Sequence, residues 1–197
     1  TKKTGAGGIV MGKIILITGG ARSGKSGLAE SYASKHGKKI AYIATAQVRD
    51  AEMNYRVELH RKRRPASWTT YESPFMAEKA IEEAGQEHDF ILFDCVTLYL
   101  SNMLCQREGG KDLAADCKEI MTAFARVLQA AAQTKASVLF VTNEVGEGIV
   151  PENAMAREYR DLSGLVNQMI AREAAAVYMV ICGLPVNIKK LAEDLGE

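Results

Sequence analysis

Four residues of the run GGARSGKS, Gly19, Gly24, Lys25 and Ser26, have the spacing G-x-x-x-x-G-K-[ST]. That spacing binds phosphate for a physical reason. Glycines let successive backbone N–H groups turn inward around an anion, and the following helix adds the partial positive charge of its N-terminus. Lys25 would reach the outer phosphates of a nucleoside triphosphate, and the Ser26 hydroxyl would ligate Mg2+. Arg22, inside the turn, is a further candidate for phosphate contact. Such a site also needs an acid on a neighbouring strand to hold the metal's water shell, and FILFDC offers Asp94 at the end of an apolar run. The same carboxylate could instead cap the turn that follows, and the residues alone leave both roles open.

A second cluster lies in DAEMNYRVELHRKRRP, residues 50–65, which ends at a proline that should stop a helix. On such a helix Arg56, His60, Arg63 and Arg64 fall within roughly a third of the circumference, because residues three and four apart are neighbours. An imidazole among guanidiniums suits a nucleophile that attacks an anionic phosphorus, since nearby cations keep it neutral. Met53 and Val57 share that face, so a half-buried packing role for His60 also stays open. His36, at an expected helix end, and His88, in the polar lead-in to a strand, read as structural. The RKRR run lacks interleaved aromatics and does not read as a nucleic-acid patch. No N-K-x-D loop is present, which excludes a guanine-specific switch GTPase, and DLSG at 161–164 sits inside a helical pattern rather than at a switch.

Positioning these groups requires a sheet. Apolar runs at 13–18, 39–45, 89–95, 137–145 and 176–183 alternate with helical patterns, the signature of βαβ units. The expected fold is a three-layer α/β P-loop NTPase, RecA-like, with a mainly parallel central sheet. Two long helices are expected to face the core, 112–134 through Leu113, Cys117, Ile120, Met121, Phe124, Val127 and Leu128, and 153–175 through Met155, Tyr159, Leu162, Val166, Met169 and Ile170. Residues 1–12 are expected to be a flexible extension or an expression remnant, and 13–197 a single domain. A hydrophobic fraction of 47%, a charged fraction of 25% and a net charge of +1 describe an ordinary globular chain with no global field for nucleic acid or membrane. No run of apolar residues is long enough to insert into a membrane. The four cysteines, Cys95, Cys105, Cys117 and Cys182, have no metal-like spacing and are expected to be buried free thiols in a reducing cytoplasm.

Taken together, ITGGARSGKS, YIATAQ, EMNYRVELHRKRRP, LFDCVTLYLSN and VTNEVGEGIVPENAMAREYRDLSGLVNQ resemble the bifunctional adenosylcobinamide kinase / adenosylcobinamide-phosphate guanylyltransferase family of cobalamin biosynthesis. The resemblance runs from about Lys13 to Lys189. It implies phosphorylation of the aminopropanol hydroxyl of adenosylcobinamide by ATP or GTP, then transfer of GMP from GTP to that phosphate, with pyrophosphate released. It further implies that GMP passes through a bond to a histidine, for which His60 stands at the matching position. Some family members carry two adjacent histidines there, where this chain has Leu59 and His60. The positions similar to nucleotide contacts are Gly19, Gly20, Ala21, Arg22, Ser23, Gly24, Lys25, Ser26, Ala44, Thr45, Ala46, Arg61, Lys62, Arg63, Arg64, Glu72 and Asp94. Many members have Glu where Asp94 stands. The resemblance also implies a homotrimer with sites near subunit boundaries. The segment 143–153 follows a strand's C-terminal end, where open α/β sheets bind ligands, and is either part of the corrinoid site or a plain connecting loop. A metabolite kinase without transferase activity and a nucleotide-binding regulatory module are the competing functions.

Overall fold

Strand β1 (Ile14–Gly19) is apolar along its length and buried at all six positions, the pattern of a strand covered on both faces by helices. In the computed structural model it lies inside a seven-stranded sheet of order β3-β2-β4-β5-β1-β6-β7. The structure describes residues 11–47, 51–107 and 113–193, without the side chains of Glu52, Arg56, His60, Leu113 and Ala114. In chain order the elements are β1, α1 (Lys25–His36), β2 (Ile40–Ala44), α2 (Ala51–Arg63), β3 (Thr69–Glu72), α3 (Ala77–Glu87), β4 (Phe90–Asp94), α4 (Val96–Cys105), α5 (Leu113–Gln133), β5 (Ser137–Val141), α6 (Ala154–Glu173), β6 (Ala176–Ile181) and β7 (Leu184–Asn187). Every strand pair is parallel except β6 with β7.

Alternation along the strands divides the core in two. Ile14, Leu16, Ile43, Phe93 and Phe140 point to one face, where α3, α4, α5 and α6 contribute Ile81, Tyr99, Phe124 and Val166. Ile15, Ile17, Tyr42, Leu92 and Val141 point to the other, covered by Ala29 and Ala33 of α1. The first face is the aromatic one: Phe93 meets Phe140 at 5.2 Å and Tyr99 edge-on at 5.7 Å between ring centroids. Each such fully buried side chain contributes about 2 to 3 kcal/mol of transfer free energy.

The expected three-layer, mainly parallel P-loop architecture is present, with additions and corrections. Strands β3 and β7 and helices α3 and α4 were not anticipated. The acid-bearing strand β4 is not the neighbour of β1, because β5 lies between them. Met155 is 50% exposed rather than core-facing, whereas Leu162, Val166 and Ile170 are fully buried. Of the four thiols only Cys95 is buried, while Cys105 and Cys182 are exposed. Helix α2 stops two residues before Pro65, as the proline requires. His88 is a structural histidine, 6% exposed, its Nδ1 on Ala84 O and its Nε2 on Thr69 Oγ1, both at 3.0 Å. His36 stacks on Tyr32 in the last turn of α1. Residues 1–10 lie outside the described residues, and Gly12 is already docked, its N–H donating to Thr134 O at 3.1 Å.

Candidate active site

All the candidate positions on strands lie along the same, C-terminal side of the sheet, because parallel strands align their C-terminal ends. The register sets Glu72 beside Ala44, Ala44 beside Asp94, and Asp94 beside Val141. Val141 in turn pairs with Ile17, two residues before the phosphate turn begins.

The turn from Gly19 to Ser26 is built on backbone that side chains tolerate poorly. Gly24, at the N-cap of α1, has φ 96° and ψ −1°, a left-handed conformation suited to glycine. A Cβ on Gly19 would come within 2.5 Å of Val180 O and 2.7 Å of Ser23 Oγ. The turn is also braced from the β6–β7 hairpin, where Gly183 N–H donates to Ser23 O at 2.9 Å. Ala21 and Arg22 are exposed on its rim, and Arg22 has φ 57°.

Lys25 is only 8% exposed, and its Nζ donates to Gly20 O at 3.0 Å, folding the ammonium back over the turn. Burial lowers its pKa, and its interactions with Cys95 and with the Asp94 carboxylate oppose that shift. An anion beside it would relieve that cost. Ser23 Oγ and Thr18 Oγ1 are buried without a hydrogen-bond partner among the described residues, which also marks this turn as unfinished without a ligand. Asp94 is half-buried, and its Oδ2 accepts a 2.7 Å hydrogen bond from the Tyr42 hydroxyl. Cys95 beside it is pushed up to about 11, first by burial and then by Asp94, so it remains a neutral thiol. Ser26 is half-buried. Its hydroxyl and the Asp94 carboxylate are the hard oxygen donors that Mg2+ takes, although no group of three or more His, Cys, Asp or Glu side chains among the described residues could hold a metal alone.

Other candidates sit further off. Thr45 is fully buried and its hydroxyl is committed to the backbone: it donates to Cys95 O and accepts from Cys95 N, both at 2.8 Å. Asn102 from α4 completes that joint, donating to Thr45 O at 2.7 Å and Pro74 O at 3.2 Å. Thr45 thus locks the end of β2 to the end of β4 rather than presenting a side chain to solvent, between the half-buried Ala44 and Ala46. Glu72 lies four strands from β1, about 19 Å at the usual strand spacing, and pairs with Arg61 at 3.5 Å. Lys62 is exposed. Arg63 reaches Glu30 of α1 at 3.5 Å, and the Arg64 guanidinium lies 3.6 Å from the centre of the Tyr42 ring. These contacts fasten the C-terminal end of α2, one turn beyond position 60, against the α1 side of the sheet. The side chains of His60 and Arg56 are outside the described residues. Sequence reasoning missed Tyr42 and Asn102; both sit in apolar runs where nothing local distinguishes them from core.

Beyond β5 the chain crosses the mouth of the turn. Glu144 N–H donates to Gly19 O at 3.1 Å, and its Oε1 accepts from Gly146 N–H at 2.9 Å. Asn143 Nδ2 donates to Thr97 Oγ1, and Arg160 of α6 donates to Gly146 O. The segment then carries Ile149, 95% exposed, and Val150, 64% exposed.

The family model for cobinamide kinase / cobinamide phosphate guanyltransferase matches residues 15–188. The chain is 40% identical over 181 residues to the bifunctional adenosylcobalamin biosynthesis protein CobU of Escherichia coli (strain K12), covering 89% of this chain and 99% of that protein. The CobU of Salmonella typhimurium gives the same identity and coverage. The corresponding CobP of Pseudomonas aeruginosa is 37% identical over 174 residues, 88% of this chain and 96% of that protein. Among solved structures, a prototypical ATPase from the type III secretion system of pathogenic bacteria superposes with a TM-score of 0.56 at 15% identity, over 90% of this chain and 57% of that one. That likeness is one of fold.

Proposed function

This chain belongs to the cobinamide kinase / cobinamide phosphate guanyltransferase family, and on that premise we propose that it catalyses two reactions on one corrinoid. It phosphorylates the aminopropanol hydroxyl of adenosylcobinamide with ATP or GTP, then transfers GMP from GTP to that phosphate, giving adenosylcobinamide-GDP and pyrophosphate. The observation that carries this reading is Lys25: a buried ammonium folded over a glycine turn, with Asp94 across the sheet edge. Mg2+ suits the donors present, Ser26 and Asp94, and when bound it neutralises charge on the phosphates.

In the kinase step the backbone N–H groups of 19–26 and the Lys25 ammonium hold the triphosphate, so the rate comes from positioning and electrostatics. In the transferase step an imidazole nitrogen of His60 forms a bond to the α-phosphorus as the bond to the bridging oxygen breaks and pyrophosphate leaves. An oxygen of the corrinoid phosphate then forms the new P–O bond as the P–N bond breaks, restoring the imidazole. Two in-line displacements retain configuration at phosphorus. The Arg63–Glu30 and Arg64–Tyr42 contacts support this role by holding the end of α2 on the side of the sheet where α1 starts. The exposed Ile149 and Val150 support a corrinoid-facing role for the segment 143–153.

A cytoplasmic homotrimer is part of the same proposal. The free thiols support a reducing compartment, and the exposed Ile181, Leu184, Val186 and Leu191 beside the β6–β7 edge support a subunit contact. Among the described residues no helix is long and apolar enough to cross a membrane. The deciding experiment is intact-protein mass spectrometry after incubation with GTP and Mg2+. One acid-labile guanylyl group per chain is expected, absent from H60A, and an adduct that persists in H60A would overturn the assignment.

A further inference from the structure

Tyr42 is a core residue by position and a polar one by contact. It is 4% exposed in the middle of β2, and strand alternation points it to the same face as Asp94. Filling that space needs only a ring, which phenylalanine would supply. The hydroxyl has a definite partner: it donates to Asp94 Oδ2 at 2.7 Å. A carboxylate offers about four lone-pair sites, and a short bond to Oδ2 restrains its rotation. The ring is held in turn, with the Arg64 guanidinium 3.6 Å from its centroid, an arrangement attractive through the ring quadrupole.

We propose that Tyr42 is a positioning residue: its hydroxyl sets the orientation of the Asp94 carboxylate toward the phosphate turn, and the stacked Arg64 ties that setting to the C-terminal end of α2. The proposal rests on the reading of Asp94 as the acid that serves the metal–nucleotide complex. Its consequence is that the acid and the arginine-rich helix share one support. Neither has to be arranged independently.

The test uses full-length Y42F, which keeps the ring and its stacking and removes one oxygen. The Mg2+ concentration giving half-maximal kinase rate is expected to rise about tenfold, the effect of losing one hydrogen bond to a charged group. Binding of a fluorescent GDP analogue in EDTA, which reads the turn without metal, is expected to stay at the wild-type value. D94N should raise the Mg2+ requirement on its own, and adding Y42F to D94N should raise it no further. A Y42F enzyme with wild-type Mg2+ dependence beside a shifted D94N overturns the positioning role alone. An unshifted D94N overturns the reading of Asp94, and the proposal with it. An equal loss of metal-free nucleotide binding in Y42F, or an undiminished effect in the D94N background, makes Tyr42 merely structural and also overturns the proposal.

Discussion

Replacing Lys25 with methionine separates what this residue does for the fold from what it does for the ligand. Methionine keeps an unbranched chain in the same slot and removes the ammonium that donates to Gly20 O at 3.0 Å. Because burial is the leading cause of the lowered pKa, the charge is a net burden on the free protein. The unfolding midpoint of K25M without nucleotide should therefore equal or exceed that of wild type. The sign of the pH dependence follows. Between the lowered folded value and the ordinary 10.5 the unfolded chain binds more protons, so wild-type stability rises with pH across that window. K25M should lack that rise when midpoints at about pH 8 and about pH 10 are compared. Activity should move the other way. An ammonium about 4 Å from a phosphate charge at an effective dielectric of about 20 is worth about 4 kcal/mol, which is about a thousandfold in rate. Steady-state kcat/KM for transfer of labelled γ-phosphate reads that loss directly. A K25M enzyme within tenfold of wild type, or one whose ligand-free midpoint collapses, would refute the view that this lysine is held for an anion rather than for the fold.

Other substitutions have separate expectations. Gly24→Ala puts a Cβ 3.3 Å from Gly183 Cα on a backbone with φ 96°, and it should cost about 2 kcal/mol, lowering the unfolding midpoint by roughly 6 °C. His60→Ala should lower guanylyl transfer by at least about a thousandfold while leaving the kinase step, so adenosylcobinamide phosphate accumulates and is detected by chromatography. Asn102→Ala strips a buried donor from Thr45 O and Pro74 O, and denaturant unfolding should show a loss of about 2 to 3 kcal/mol.

The runs that became β1, β2, β4, β5 and β6 were legible because each is a short Ile- and Val-rich stretch buried on both faces, a condition that imprints itself on composition. The elements that escaped carry weaker marks. Strand β3 is four residues, TTYE, at the sheet edge and mostly exposed, so it has neither length nor apolar alternation. Strand β7 contains Pro185, which reads as a break and is tolerated because β7 is the opposite edge. Helix α3 is the exception: Ala77, Ala80, Ile81 and Ala84 fall on one face opposite a run of Glu and Lys, so its period is legible, although three of the four buried side chains are only alanine. Helix α4 begins after a single residue beyond β4, so FILFDCVTLYL runs apolar through the change of period, and strand and helix cannot be separated within it. At the site, the phosphate turn is a local device and declares itself in eight residues. The bond from Tyr42 to Asp94 joins positions 52 residues apart, and it depends on a strand pairing that no local pattern records. The exposure of Cys105 and Cys182 was equally hidden, since each sits beside apolar neighbours in sequence.

The bracing of Ser23 by Gly183 has a consequence for how the molecule is made. The turn precedes in the chain every element that supports it: β5 and β6, which flank its strand, and the β6–β7 hairpin, which props it, are all synthesised after it. A growing chain therefore completes this brace only once residue 183 has emerged, and the cradle depends on a partner some 160 residues downstream of the turn it supports.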